Sequence, residues 1–368
     1  MKIAILGVKG VPGHHGVEVV VDSLIPHLVA LGHEITVYGY GSYSENIEDY
    51  HGAKVCTVHG SLNKNFEMIS HMWKATREAN SEKYDIVHIH SADPCLLAPL
   101  VKARYGIVAT SHGQAYARKK WSIAAKMMSR LAEVFFMKTP DIKTSVSRPL
   151  ADYYINKYRQ EVAYIPNGIK MRTPPDTSHL EQWGIAPGEY LFCSAGRIER
   201  TKGLTTLIEA YRQLDTDLPL VIAGGGAATD YQYFEELKEA SPQGVKFVGF
   251  LKGDDYFSLF AHASVFIFPS EYEAMSIALL EGLSFGAPTV YSDIPENEAI
   301  ASGIGYSFAV SNPKDLAEKI RFVLENPMEG RAMGQKAHEF VKNNHQWKAV
   351  AQLYHDQYLK LAGQKASD

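Results

Sequence analysis

The chain has 368 residues, 46% of them apolar and 21% charged, with a formal net charge of −4. That length exceeds one ordinary core and suits two domains, and the slightly acidic balance disfavours nucleic acid as the main partner, because phosphate backbones are held by basic surfaces. The three cysteines, Cys56, Cys95 and Cys193, are scattered and form no C-x-x-C pair, which argues against a zinc site or disulfide framework and for a reducing compartment.

Met1 to Gly7 is too short an apolar run for a secretory leader, and no stretch approaches the roughly 18 apolar residues of a membrane span. The expectation is a cytoplasmic protein. Along the chain, short β-branched runs alternate with amphipathic segments of helical length, the signature of α/β folding on a mostly parallel sheet. Strands are expected at Ile3–Leu6, Ile35–Tyr38, Val55–Val58, Ile86–Ile89, Ile107–Thr110, Ile142–Ser145 and Val162–Ile165. Helices are expected at Val17–Leu31, Asn65–Asn80, Pro94–Arg104, Trp121–Met137 and Pro149–Tyr158, and Gly32 supplies a stop signal.

The turn residues Pro166-Asn167-Gly168 and the run Thr173-Pro174-Pro175-Asp176 then mark a linker, and a second strand series begins. It comprises Tyr190–Ser194, Leu220–Ala223, Val245–Val248, Val265–Phe268, Thr289–Tyr291 and Tyr306–Phe308. The expected domains are residues 1–168 and 169–345, each built on a doubly wound sheet. A tail helix at 346–368 is expected to pack back on the first domain. Two such sheets leave a cleft beyond the carboxyl ends of their strands, where ligands bind.

Two motifs in the second half carry chemistry. Gly196-Arg197-Ile198-Glu199-Arg200-Thr201-Lys202-Gly203 follows a strand and opens a helix. Two cations there, Arg197 and Lys202, can clamp a pyrophosphate and stabilise its departure, although a solvated basic loop has the same spacing. From Pro269 a loop runs to a helix expected to begin near Met275, where the N–H groups of Met275, Ser276 and Ile277 can hold phosphate oxygens. Glu281 is expected some six residues into that helix, about 9 Å along its axis, roughly the reach from pyrophosphate to ribose. A carboxylate beside an anion makes sense as a hydroxyl acceptor, so Glu281 is assigned to the ribose diol and Glu273 to the donor sugar.

Gly-Arg-x4-Lys-Gly followed by Glu-x7-Glu resembles the retaining glycosyltransferases of family 4, a GT-B group. The likeness extends to the first glycine-rich loop, Gly7 to Glu18 with Gly16, to Gly32-His33-Glu34-Ile35-Thr36-Val37, to Ser111-His112-Gly113 and to Ile165-Pro166-Asn167-Gly168. Where the family often has Gly-Phe-Gly after the first glutamate, this chain has Ala274-Met275-Ser276. The resemblance implies metal-independent transfer from a nucleotide-diphosphate sugar with retention at the anomeric carbon, and no cofactor. The family's arginine and lysine map onto Arg197 and Lys202, its glutamates onto Glu273 and Glu281, and its histidine at the sugar onto His112. The segment after His112 resembles that of bacterial relatives that build surface polysaccharides.

His112 ends a strand and is expected to face the cleft. His88 and His90 share one face of their strand, but no third metal ligand at suitable spacing accompanies them. Residues 118–138 combine basic side chains with Trp121, Ile123, Met127, Met128, Leu131, Val134, Phe135 and Phe136. They form either a helix docking on anionic lipid, which suits a lipid-linked acceptor, or an ordinary domain helix with a solvated basic side. Gly7, Gly10 and Gly13 are not G-x-G-x-x-G and no acid ends the second strand, which argues against a nicotinamide dehydrogenase. A nucleotide-sugar epimerase and a non-catalytic nucleotide-sugar-binding protein remain as alternatives on the same fold.

Overall fold

The computed structural model describes residues 1–13, 16–41, 43, 47–61, 63, 66–114, 116, 122–226 and 231–366. The chain divides into two compact units, Met1–Gly168 with Trp347–Asp368, and Ile169–Gln346.

In the first unit β1 (Lys2–Leu6), α1 (Val17–Ala30), β2 (Glu34–Tyr40), β3 (Asp49–Tyr50), β4 (Ala53–Val58), α2 (Glu67–Ser81) and β5 (Ile86–His90) come first. They are followed by β6 (Gly106–Ser111), α3 (Ile123–Lys138), β7 (Ile142–Ser145), α4 (Arg148–Tyr158) and β8 (Ala163–Tyr164). The strand order is β3-β4-β2-β1-β5-β6-β7-β8. All pairs are parallel except β3 with β4, a two-residue edge strand without a sequence signal. β1 is apolar after Lys2, and β5 is buried end to end although it carries His88 and His90, because helices cover both sheet faces. The chain reverses its winding direction between β1 and β5, so the carboxyl ends of those strands form the switch point of this sheet.

α1 buries Val20, Val21, Leu24, Ile25 and Leu28, a stripe of helical period, and the chain turns out of it through Gly32 at φ +82°. Residues Asp93–Leu100 form 3-10 turns rather than the α-helix expected over Pro94–Arg104. Pro99 lacks the donor that an α-helix needs at that point, and its ring would crowd the preceding turn.

In the second unit the elements are β9 (Leu191–Ile198), α5 (Leu204–Arg212), β10 (Leu220–Gly226), α6 (Tyr231–Glu239), β11 (Val245–Gly249), α7 (Gly253–Ala261) and β12 (Val265–Phe268). Then come α8 (Ile277–Phe285), β13 (Thr289–Ser292), α9 (Pro295–Ala301), β14 (Tyr306–Phe308), α10 (Pro313–Glu325) and α11 (Pro327–Asn344). The sheet is parallel throughout, in the order β11-β10-β9-β12-β13-β14. Its switch point lies between β9 and β12, the strands that lead into the two motifs singled out above. The last helix, α12 (Trp347–Ala366), packs on α1 and returns the chain to the first unit. Its Tyr354 and Tyr358 are fully buried there.

Candidate active site

The first motif straddles the end of a strand. Arg197 belongs to β9 rather than to the loop after it, and its side chain is exposed. Gly196 precedes it at φ +62°, a conformation that suits glycine. Residues Arg200–Lys202 form one 3-10 turn, and Gly203 at φ +65° starts α5. A Cβ on Gly203 would strike the carbonyl oxygen of Pro269, so glycine lets this loop lie against the loop after β12. The two loops are also joined by a hydrogen bond from Glu271 N to Thr201 O at 2.8 Å.

That contact brings the two motifs together. Lys202 Nζ donates to Glu273 Oε1 at 2.6 Å, and the two side chains are only 20% and 15% exposed. The sequence assigned one residue to phosphate and the other to sugar; here they form an ion pair. Glu296, in the first turn of α9, is half-buried; burial raises its pKa, and the charge of Glu273 raises it further. The loop after β12 is held from below. Ser292 Oγ donates to the carbonyl of Ser270, and Asn297, fully buried, donates to Ser292 O and Oγ at 3.1 and 3.0 Å.

α8 begins at Ile277, two residues later than expected, because Ser276 caps it: its hydroxyl accepts from Leu279 N at 3.4 Å. A serine at this position satisfies one otherwise free N–H, and the remaining amino-terminal N–H groups keep the partial positive charge that favours an anion. Met275 is buried beneath this turn. Glu281 therefore lies four residues beyond the first residue of α8, about 6 Å along its axis. Burial pushes its carboxyl pKa up to about 7, against the opposing pull of Tyr256 and Arg172. Tyr256 OH donates to Glu281 Oε2 at 2.8 Å and also meets Ser194 Oγ at 2.9 Å. Arg172 lies over the Phe257 ring, 4.1 Å from its centroid.

The remaining two candidates sit in the first unit. Gly16 takes φ +52° at the start of α1, with open space where a Cβ would stand. His14 and His15 lie outside the described residues, but the loop before them is tied to α1: Glu18 Oε1 accepts from Lys9 N at 3.3 Å and Asp22 Oδ2 from Gly13 N at 3.0 Å. His112 follows β6 directly, half-buried, with Nε2 3.0 Å from His90 Nδ1. Burial lowers its pKa to about 3, so it is neutral at physiological pH. His88 and His90 do share a face, with ring centroids 4.1 Å apart. Among the described residues no three His, Cys, Asp or Glu side chains are grouped to hold a metal ion.

The segment after His112 is anchored to the next two helices by one carboxylate. Glu133 of α3 is 2% exposed. Its Oε1 accepts from Lys157 Nζ and Tyr158 OH, both at 2.7 Å. Its Oε2 accepts from Tyr116 OH at 2.7 Å and Gln114 Nε2 at 3.3 Å. Burial opposes ionisation, but these donors together hold its pKa below the usual carboxylate value. Within the basic segment expected over 118–138, residues 118–121 lie outside the described residues. α3 begins after the cap Ser122. Ile123, Met127 and Leu131, spaced at i, i+4 and i+8, are 80%, 64% and 51% exposed.

Sequence reasoning missed Glu296, Tyr256, Ser194, Glu133 and the contact of His90 with His112. Glu296 had a readable signal, a proline–acid start to a helix directly after a strand. The others had none, since each acts on a partner distant in sequence.

Two doubly wound parallel sheets, the second carrying cations and carboxylates beyond its switch point, define a protein of the GT-B fold class. Residues 14–172 match the family model described as Glycosyltransferase Family 4, and residues 176–347 that described as Glycosyl transferases group 1. The chain is 30% identical over 204 residues to a glycogen synthase of Mycobacterium tuberculosis (strain CDC 1551 / Oshkosh), covering 54% of this chain and 48% of that protein. It thus spans about half the length of this relative. It is 26% identical over 286 residues to the O-antigen chain mannosyltransferase C of Escherichia coli, covering 74% of this chain and 76% of that one. The crystal structure of Anabaena Alr3699/HepE in complex with UDP and glucose superposes with a TM-score of 0.81 at 17% identity, covering 98% of this chain and all of that one.

Proposed function

We propose that this chain is a retaining glycosyltransferase that moves a sugar from a nucleotide-diphosphate donor to an acceptor hydroxyl, without a metal or cofactor, in polysaccharide or glycoconjugate synthesis. The observation that carries the proposal is the meeting of Lys202, Glu273 and the amino end of α8 beside the switch point of the second sheet. The donor diphosphate is held by Arg197, Lys202 and the N–H groups at Met275–Ile277. Glu281 accepts from the ribose diol, Glu273 from the sugar hydroxyls, and His112 and the Gly16 loop serve the sugar and acceptor side. The relatives' names, a glycogen synthase and an O-antigen mannosyltransferase, support a polysaccharide-type product, and the structural neighbour with bound UDP and glucose supports a nucleotide-linked donor.

In the reaction the bond from the anomeric carbon to the diphosphate oxygen breaks, and the acceptor oxygen bonds to that carbon from the same face. The acceptor proton passes to the leaving phosphate, and the cations and helix end neutralise the charge that grows there. Glu273 is a poor nucleophile candidate because its carboxylate is already committed to Lys202.

A diphosphate-release assay over UDP-, GDP- and TDP-sugars, with water and then candidate acceptors, tests this reading. Acceptor-dependent release in the presence of a chelator, with the donor's anomeric configuration kept in the product, is the expected result. Conversion of donor alone favours an epimerase, and binding without release a non-catalytic binding protein.

The exposed ridge Ile123, Met127 and Leu131 favours a second reading, that α3 rests on an anionic membrane surface at the inner face of the cytoplasmic membrane. Lys126, Arg130 and Lys138 accompany the ridge, and the helix's one acid, Glu133, is buried away from it. Apolar insertion flanked by basic groups is the arrangement of an interfacial helix, and a lipid-linked acceptor would be met there. No helix among the described residues is long and apolar enough to cross a membrane.

A further inference from the structure

Behind His112 lies a set of buried imidazoles and hydroxyls that the proposed chemistry leaves unused. His88 and His90 are each 1% exposed. His88 is engaged at both nitrogens: Nδ1 lies 2.7 Å from Tyr358 OH on α12, and Nε2 lies 2.7 Å from Thr110 Oγ1. Thr110 Oγ1 is in turn 2.7 Å from Thr144 Oγ1 and 3.4 Å from Tyr354 OH. These bonds fix the His88 ring, and the His90 ring packs on it at a centroid distance of 4.1 Å. His90 then meets His112 with the rings 23° from parallel and Nδ1 3.0 Å from His112 Nε2.

A bond between two imidazole nitrogens holds one proton. Two bare lone pairs repel there, and two N–H groups collide. Burial, with like charge adding for His88 and His90, lowers the pKa of all three imidazoles well below the usual value, so the pair is neutral and His112 has one N–H to place. Its Nε2 is committed to His90, which leaves Nδ1 as the ring nitrogen it can offer a ligand. Whether Nδ1 donates or accepts is then dictated by which partner supplies the shared proton.

We propose that His90 is a positioning residue that holds His112 in a single tautomer and ring orientation, so that His112 Nδ1 presents one fixed hydrogen-bonding character to the transferred sugar. This rests on the reading above in which His112 serves the sugar. The stack of His88, Thr110, Tyr354 and Tyr358 makes α12 the backing of that arrangement.

The test combines spectroscopy and kinetics on the full chain. With 15N-histidine labelling, His112 in the wild-type protein is expected to show one neutral tautomer, assigned by loss of its signals in His112→Ala. His90→Leu removes the partner and is expected to give exchange-averaged shifts between the two tautomers, with kcat/KM for the donor falling about tenfold. His90→Asn keeps a polar atom near the place of Nδ1 and is expected to recover most of that loss. If His90→Leu does not fold, the wild-type tautomer and the His90→Asn kinetics decide. Mixed tautomers in the wild type, an unchanged single tautomer in His90→Leu, or a His90→Asn variant that stays folded but loses as much as His90→Leu would each overturn the proposal. Full turnover in His112→Ala would instead remove His112 from the transfer reaction and leave the tautomer result standing.

Discussion

Lys202 Nζ donates to Glu273 Oε1 across 2.6 Å, joining a turn after β9 to the loop after β12. The pair fixes the lysine where two loops cross, and it keeps a carboxylate beside the proposed diphosphate site. On the proposed reading, an arriving diphosphate would add a second negative partner to Lys202, and the ammonium would be shared between leaving group and glutamate. Lys202→Ala is therefore expected to lose about 3 kcal/mol of transition-state stabilisation, on the order of a hundredfold in kcat/KM. Because the two side chains are in direct contact, the double variant with Glu273→Ala should lose less than the sum of the single losses even though each side chain has its own proposed partner. Steady-state kinetics on the four proteins of that cycle check this, and strict additivity would separate the two roles.

With Glu281 accepting from the donor's ribose, as proposed, donor binding should depend on pH. Its pKa of about 7 means that a fraction of the free protein holds it protonated near neutrality. The protonated acid loses acceptor capacity for a ribose diol, so KM for the donor should rise as pH falls below about 7. Glu281→Gln should flatten that limb. Stability has its own sign: a carboxyl whose folded pKa exceeds its ordinary value contributes fully below the ordinary value, and the contribution is lost as pH rises through about 7. Glu281→Gln should therefore gain on the wild type in melting temperature as pH rises through that range, as a pair of thermal scans would show.

The Glu133 cluster bears on stability first. Glu133→Ala removes the buried acceptor shared by the Tyr116 and Tyr158 hydroxyls and the Lys157 ammonium; because Lys157 is part-exposed and also bonds Tyr153 OH, the expected cost is about 2 kcal/mol. Glu133 has a lowered pKa, so its contribution is present above the ordinary carboxylate range and fades as pH falls. Urea denaturation at neutral and at acid pH should show a large difference between wild type and variant at the first and a small one at the second.

For the membrane reading, the triple change Ile123→Ser, Met127→Ser and Leu131→Ser should weaken sedimentation with anionic vesicles by about a hundredfold, on the order of 1 kcal/mol per side chain. Turnover on a water-soluble acceptor should be unchanged. Equal vesicle binding by wild type and variant would leave α3 an ordinary surface helix.

Much of this protein was legible from its residues. Most buried strands read as continuous apolar, β-branched runs because both faces are covered, and the helix stop at Gly32 matches its left-handed backbone. Spacing and the family resemblance singled out Lys202, Glu273 and Glu281, and the first two meet in the fold. Local patterns failed where two signals competed: Pro94 and Pro99 bracket an apolar run that looks helical and turns as 3-10. They also failed wherever a bond spans the chain. Lys202 and Glu273 are 71 residues apart, and Tyr256 and Glu281 are 25 apart on different helices. His90 reaches His112 because β5 and β6 run parallel with His90 opposite Thr110, a register that no local pattern encodes.

The most direct measurement is calorimetric titration of the full chain with UDP, GDP, ADP and dTDP, repeated on Arg197→Ala, Lys202→Ala and the double variant. If the diphosphate is held by these two cations, one of the nucleotides binds the wild type and its affinity drops by about tenfold or more in each single variant. A nucleoside diphosphate that binds all four proteins with equal affinity, or four that bind none, would contradict the site described here.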